Sequence, residues 1–147
     1  YWQAFLKDTG KDAACRYSYC GYFGDTEAVA NRLLELILQG KKQATTSCME
    51  AFARQNERVP AVGDYSIVTD WNGTPRCIIQ TTRLTLLPFR EMTYAICQRE
   101  GEDDCLSSWR ETHMAFFRAE GNRLGYTFGE DSLILFEDFV VVYRKPL

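Results

Sequence analysis

Residues 37–47 read Ile37-Leu38-Gln39-Gly40-Lys41-Lys42-Gln43-Ala44-Thr45-Thr46-Ser47. An apolar run stops at a glycine, two lysines follow, and three hydroxyl side chains come next. A free lysine has a pKa of about 10.4 and is a poor base at neutral pH. Burial disfavours its charged form, so a desolvated Lys42 can take a proton from the Thr45 hydroxyl or from a water. The oxygen so activated can attack an amide carbonyl. The same residues support a plainer reading: lysines suit a helix C-terminus through the dipole, and Thr45, Thr46 and Ser47 suit a strand. Both readings stand at this point.

A second group of polar residues is the acidic run Glu100-Gly101-Glu102-Asp103-Asp104. Glu102, Asp103 and Asp104 offer oxygen ligands of the kind that hold magnesium. Such a run is more often a solvated loop whose last acid caps the next helix, so no metal is expected and Asp104 is the expected cap. Arg110, one turn into that helix, can neutralise a carboxylate or bind a phosphate. His113 is the only histidine and shares an apolar face with Trp109 and Phe117, which suits a hydrogen-bonded core residue. No Ser-His-Asp arrangement can be argued. Trp71 lies in a turn, where it either stacks on a base or is an exposed turn aromatic. The aromatic stretch Tyr17, Tyr19, Tyr22 and Phe23 is expected to pack onto the domain rather than remain exposed.

The elements that must position these residues follow from periodicity. Residues 1–8 suit a short amphipathic helix, and 10–24 a loop. Asp25 is a good cap for a helix in which Val29, Ala30, Leu33, Leu34, Ile37 and Leu38 share one stripe, with Gly40 just past its end. A short strand is predicted over 45–48 and a brief helix over 49–55. Two strands, 65–70 and 76–84, join through Asn72-Gly73, a hairpin signal. A short helix is expected over 92–98, then the helix carrying Trp109 and His113, then two strands over 133–136 and 139–143. Helices and strands are segregated rather than alternating, which predicts a single α+β domain around a small curled sheet or barrel.

Composition narrows the partners. A chain of 147 residues with 46% hydrophobic content can bury a real core. The net charge is −3 and no basic block stands out, which argues against duplex nucleic acid. No apolar run reaches membrane length, and Lys7, Asp8, Lys11, Asp12 and Arg16 interrupt any signal-peptide core. Six cysteines include no Cys-x-x-Cys pair, so zinc is not expected. Cys77 and Cys97 sit in apolar patterns and read as reduced thiols of a cytoplasmic protein.

Taken in order, Gly40-Lys41-Lys42 with the polar strand after it, "PAVGDYSIV" (60–68), "EGEDD" (100–104) and "WRETHMAFF" (109–117) resemble the ASCH domain family. The likeness runs from about Phe23 to Tyr143. It implies a PUA-like β-barrel flanked by helices, with residues 1–22 packed on it. Many ASCH domains place Glu three residues after the lysine and Arg two later, where this chain has Thr45 and Ser47. Lys42-x-x-Thr45 is similar to the branch that resembles amidohydrolases of N-acetylated cytidine. That likeness implies Lys42, Thr45 and Glu100 as catalytic, with Glu102 competing for the carboxylate's role. Lys41, Thr46, Ser47, Glu102, Arg110 and Trp71 are the accompanying candidates for substrate binding. The expected partner is a nucleoside-sized molecule or a short single-stranded RNA, without a cofactor. Two functions remain open: amide hydrolysis, and a non-catalytic RNA- or nucleotide-binding module, with an ASCH ribonuclease as its variant.

Overall fold

The helix that delivers the lysines forms because its apolar residues line up. Ala30, Leu33, Leu34 and Ile37 are buried along one side of Glu27–Leu38 (α2). Leu34 and Ile37 pack with Val68, Cys77, Ile79 and Phe139 of the sheet. Each large aliphatic side chain so buried contributes roughly 1.5–3 kcal/mol. Thr26, in extended conformation, caps the helix: its hydroxyl accepts the Val29 N–H at 3.2 Å. The cap is therefore Thr26 and not Asp25, since only the residue three before Val29 can place its oxygen there. Gly40 has φ 76° and turns the chain out of the helix, a backbone position that favours glycine.

The computed structural model describes residues 1–145. Besides α2 it contains helices α1 (Trp2–Thr9), α3 (Met49–Arg54), α4 (Tyr94–Cys97) and α5 (Leu106–Leu124). The strands are β1 (Tyr19–Gly21), β2 (Ala44–Cys48), β3 (Tyr65–Thr69), β4 (Pro75–Pro88) and β5 (Leu133–Tyr143). They form one sheet in the order β1-β3-β4-β5-β2. β1 is parallel to β3 and every other pair is antiparallel. The sheet curls into an open half-barrel, so the fold is α+β and PUA-like. α1 packs Trp2, Phe5 and Leu6 on Ile67 and Ile78. α5 packs Trp109 and Phe117 with Phe89, Ile134 and Phe136.

The hairpin at Asn72-Gly73 closes as its sequence predicts, with the Asp70 carboxylate accepting the Asn72 and Thr74 N–H groups. Other expectations are corrected. The loop over 10–24 contains β1, which the parallel pairing with β3 creates and local sequence does not announce. The last two strands are one, because Glu137 and Asp138 are carried within β5 instead of turning it: Glu137 takes the Thr81 hydroxyl, and Asp138 pairs with Arg83 and Arg99. Asp104 does not cap α5. Cys105 holds the cap position, and Asp103 instead accepts the Ser108 hydroxyl at 2.6 Å. All six cysteines are free, with Cys48, Cys77 and Cys97 buried. Among the described residues no helix is long and apolar enough to cross a membrane.

Candidate functional site

Lys42 leaves the end of α2 and turns inward, where only 2% of it remains exposed. Its ammonium donates to the Ala44 carbonyl at 2.7 Å and to Glu102 Oε2 at 2.6 Å, and lies 3.8 Å from Glu100 Oε1. Gln43 O accepts from Phe139 N across the β2–β5 ladder. The next carbonyl, Ala44 O, therefore points away from β5, to the free edge of β2. The lysine thus ends enclosed at the edge of β2 that faces away from β5.

The two carboxylates reach it because of the residue between them. Gly101 has φ 70° and lies directly on the Lys41–Lys42 backbone, where a Cβ would overlap the Lys41 carbonyl. Only glycine permits both the conformation and the approach. Glu100 and Glu102 therefore flank the lysine.

Glu100 is 1% exposed and fully engaged. Oε1 accepts the Thr46 hydroxyl at 3.1 Å, and Oε2 accepts His113 Nε2 at 3.0 Å and the Trp109 indole N–H. Burial alone would raise its pKa. The Lys42 charge and the bonds from His113 and Trp109 outweigh burial and hold it well below the ordinary carboxylate value. His113 shows the converse. Burial would lower its pKa, but the hydrogen bond and charge of Glu100 raise it. Its Nδ1 faces the Trp109 carbonyl at 2.8 Å. Both ring nitrogens thus face acceptors, which suits an imidazolium. The group is a quartet of Lys42, His113 and two carboxylates. Glu102, with 15% of its side chain exposed, is the carboxylate open to solvent.

Glu100, Glu102 and His113 bring three potential metal-ligand atoms within 4.8 Å of one another. The Lys42 ammonium, a cation already bonded to Glu102 and close to Glu100, stands in competition with any ion there.

Thr45 and Thr46 separate. Neighbours on a strand point to opposite faces. Thr46 faces Glu100 and the α5 core, and its cross-strand partner is Phe136. Thr45 is paired with Glu137 on the other face, as Ser47 is with Leu135. No hydrogen bond among the described residues joins Thr45 to Lys42. Lys41 is exposed beside the site. Arg110 is placed elsewhere: it pairs with Glu130 and lies over the Phe89 ring, 4.9 Å from the centroid. Trp71 stays at its hairpin, 4.7 Å from the Tyr22 ring centroid, with its backbone N–H on Asn31. A surface cavity of about 490 Å³ bordered by Met49, Arg54, Tyr126 and Asp131 does not include the quartet.

Sequence reasoning did not place His113 or Trp109 in the site. The signal was their spacing: at i and i+4 on α5 the two rings stack 4.1 Å apart, centroid to centroid, and both present a polar atom to one carboxylate.

Known proteins bear on this geometry. The ASCH domain profile matches residues 19–143. The chain is similar to an ASCH domain structure from Lactobacillus crispatus JV V101, with 35% identity, a TM-score of 0.84 and coverage of 97% of this chain and 94% of that one. It is also similar to protein EF3133 from Enterococcus faecalis V583, with 32% identity, a TM-score of 0.87 and coverage of 96% and 85%. No curated protein matches.

Proposed function

The chain belongs to the ASCH domain family, and from that premise we propose that it acts on a nucleoside-sized molecule, hydrolysing the amide of an N-acylated nucleoside such as N-acetylcytidine. The observation that carries this reading is the Lys42 ammonium, enclosed at a strand edge between Glu102 and Glu100. Taking each ion out of water costs several kcal/mol even after relaxation, and an apolar cluster would pack the same space without that cost. Retained charge at the edge of a strand, with Glu102 reaching solvent, supports a working site.

Roles follow from exposure and partners. Glu102 meets solvent and is the base for a water. Lys42 supplies positive charge near the carbonyl oxygen as it becomes an oxyanion. Glu100, anchored by Thr46, Trp109 and His113, is a positioning residue that holds Lys42 in place. The water oxygen bonds to the carbonyl carbon, the carbon–nitrogen bond breaks, and the nitrogen leaves with the proton taken from the water. Lys42 as the base, with Thr45 as its nucleophile, is less well supported, because both carboxylates face the ammonium and Thr45 lies on the other face of β2.

Turnover of N4-acetylcytidine by the purified protein tests the reading. Glu102→Gln should lower kcat at least 100-fold with a smaller change in KM, and Lys42→Arg should also fail, since a planar guanidinium cannot replace the compact ammonium. Full activity in a folded Glu102→Gln protein rejects the assignment.

The binding-module reading has one observation of its own. Arg83 and Arg99 share the single carboxylate of Asp138, leaving one uncompensated positive charge beside β2. A short single-stranded RNA that binds with steep salt dependence, without nucleoside turnover, would favour that reading.

A further inference from the structure

A second charged group lies outside the quartet, on the same face of the β2–β5 pair as Thr46. Asp138 is opposite Ala44, and Phe136 is opposite Thr46. Cross-strand partners share a face, as do residues two apart on one strand, so Asp138, Phe136 and Thr46 look the same way. Asp138 is 7% exposed, and both of its oxygens are taken by arginines. Arg99 holds it with two nitrogens, Nε on Oδ1 at 2.6 Å and Nη2 on Oδ2 at 3.2 Å. The same guanidinium lies over the Phe136 ring, 5.1 Å from its centroid. Arg83 gives Asp138 only its Nε, 3.1 Å from Oδ2.

The backbone brings Arg83 to this place. The β4–β5 register shifts between Thr81, which is opposite Phe139, and Arg83, which is opposite Asp138. An irregularity of this kind re-aims a side chain; in an unbroken ladder Thr82 would meet Asp138. The neutralisation of Asp138 does not require Arg83, since the two-nitrogen contact of Arg99 already supplies one full charge. Two guanidiniums and one carboxylate leave the group with a net charge of +1. Among the described residues no other acid lies within salt-bridge distance of either arginine, and Glu137, the neighbour of Asp138 on β5, points to the opposite face. The terminal nitrogens of Arg83 make no hydrogen bond among the described residues, and its side chain is 61% exposed.

We propose that Arg83 and Arg99, held by Asp138, form a phosphate site that takes a singly charged phosphodiester, in a cyclic nucleotide or in a nucleotide chain. The free end of the Arg83 fork offers parallel N–H groups that match two phosphate oxygens. A phosphodiester carries one negative charge and balances the group; a phosphate monoester carries about −1.5 to −2 at pH 7 and overshoots it. Asp138 fixes Arg99 before any ligand arrives, so less side-chain freedom is lost on binding. The inference rests on the binding reading above, adds which group of the ligand is held and by what, and does not depend on amide hydrolysis at Lys42.

Titration of the full chain with cytidine 2′,3′-cyclic phosphate, cytidine 5′-monophosphate and a ribocytidine tetranucleotide, at several salt concentrations, tests it. Wild type should bind at least one of the two diesters, and more tightly than the monoester. Binding of the cyclic nucleotide shows that a small diester suffices, and binding of the tetranucleotide alone shows that a chain is needed; either supports the site. Arg83→Gln leaves Asp138 paired with Arg99, so it should melt close to wild type and yet weaken the bound diester at least tenfold. With the tetranucleotide, its slope of log affinity against log salt should be shallower by about 0.7, the share of one phosphate contact on a single strand. Arg83→Lys should restore that slope but not the full affinity, since an ammonium lacks the fork. Arg118→Gln makes the same change in net charge at an exposed position of α5 and should stay within twofold of wild type. Diester affinity within twofold of wild type in Arg83→Gln overturns the inference, as does tighter binding of the monoester, or a wild-type protein that binds neither diester. Turnover of N4-acetylcytidine, which carries no phosphate, is scored separately on wild type. Its absence rejects hydrolysis and leaves the phosphate site standing, and turnover without diester binding does the reverse.

Discussion

Lys42 and Glu102 lie 60 positions apart in the chain and meet at 2.6 Å. Glu100 closes on the same ammonium from the other side of Gly101. Removing the lysine leaves two carboxylates enclosed without it. Lys42→Ala should therefore lose about 3–5 kcal/mol of stability. Lys42→Met combined with Glu102→Gln should recover most of that, because the cation and one carboxylate disappear together. Urea unfolding of the three proteins measures both differences.

The quartet predicts how stability follows pH. Glu100 has a folded pKa held below its ordinary value of 4.5. Its contribution is fully present above that value and is lost as the pH falls below it toward the folded value. His113 has a folded pKa raised above 6.5. Its contribution is present below 6.5 and is lost as the pH rises through the folded value. The midpoint of urea unfolding should fall on both sides, and His113→Gln should flatten the alkaline side only. Because His113 is the only histidine, its ring proton resonances report the titration directly. A midpoint for those resonances at or below 6.5 would contradict the Glu100 pairing.

Thr46 and Thr45 should differ although they are adjacent and identical in type. Thr46→Val removes a hydrogen bond to a buried carboxylate and should cost roughly 1.5–3 kcal/mol. Thr45→Val leaves that network whole and should cost less than about 1 kcal/mol. Equal losses in thermal unfolding would place the Glu100 contact wrongly.

Gly101→Ala should be damaging, since it adds left-handed strain of roughly 1–2 kcal/mol to an overlap with the Lys41 carbonyl. Gly129→Ala meets nothing within 4 Å and should change stability by less than about 0.5 kcal/mol. Melting temperatures of the two variants make the comparison.

At the start of α2, Thr26→Ala should cost about 1 kcal/mol, and Asp25→Ala much less. The denaturation midpoints of these two variants distinguish the caps.

Much of this frame was legible in the residues. The stripe from Ala30 to Ile37 and Asn72-Gly73 specify α2 and the hairpin through local rules. Lys42 could be singled out as a lysine at a helix end followed by hydroxyl residues, and Glu100 through the likeness to the ASCH domain family. The choice between Thr45 and Thr46 was not legible, because two threonines in a row suit either face and only the register against β5 sets which one looks at Glu100. His113 read as a core residue, and it is largely buried, but its acceptor comes from a separate loop that no pattern on α5 reveals. Arg110 had two equally good partners by type, and the turn before β5 supplies Glu130.

The fit of Gly101 against the Lys41–Lys42 backbone also bears on how the molecule acquires its site. The two segments are distant in sequence, so bringing them together closes a long loop before any contact offsets the lost chain freedom. The fitted glycine leaves little room for a loosely docked arrangement, and each charge is better solvated in water until the others arrive. Assembly of the cluster should therefore be all-or-none and late in folding, after α2 and β2 are formed. A newly made or partly opened chain would carry the secondary structure without the site, so that competence marks completion of the fold.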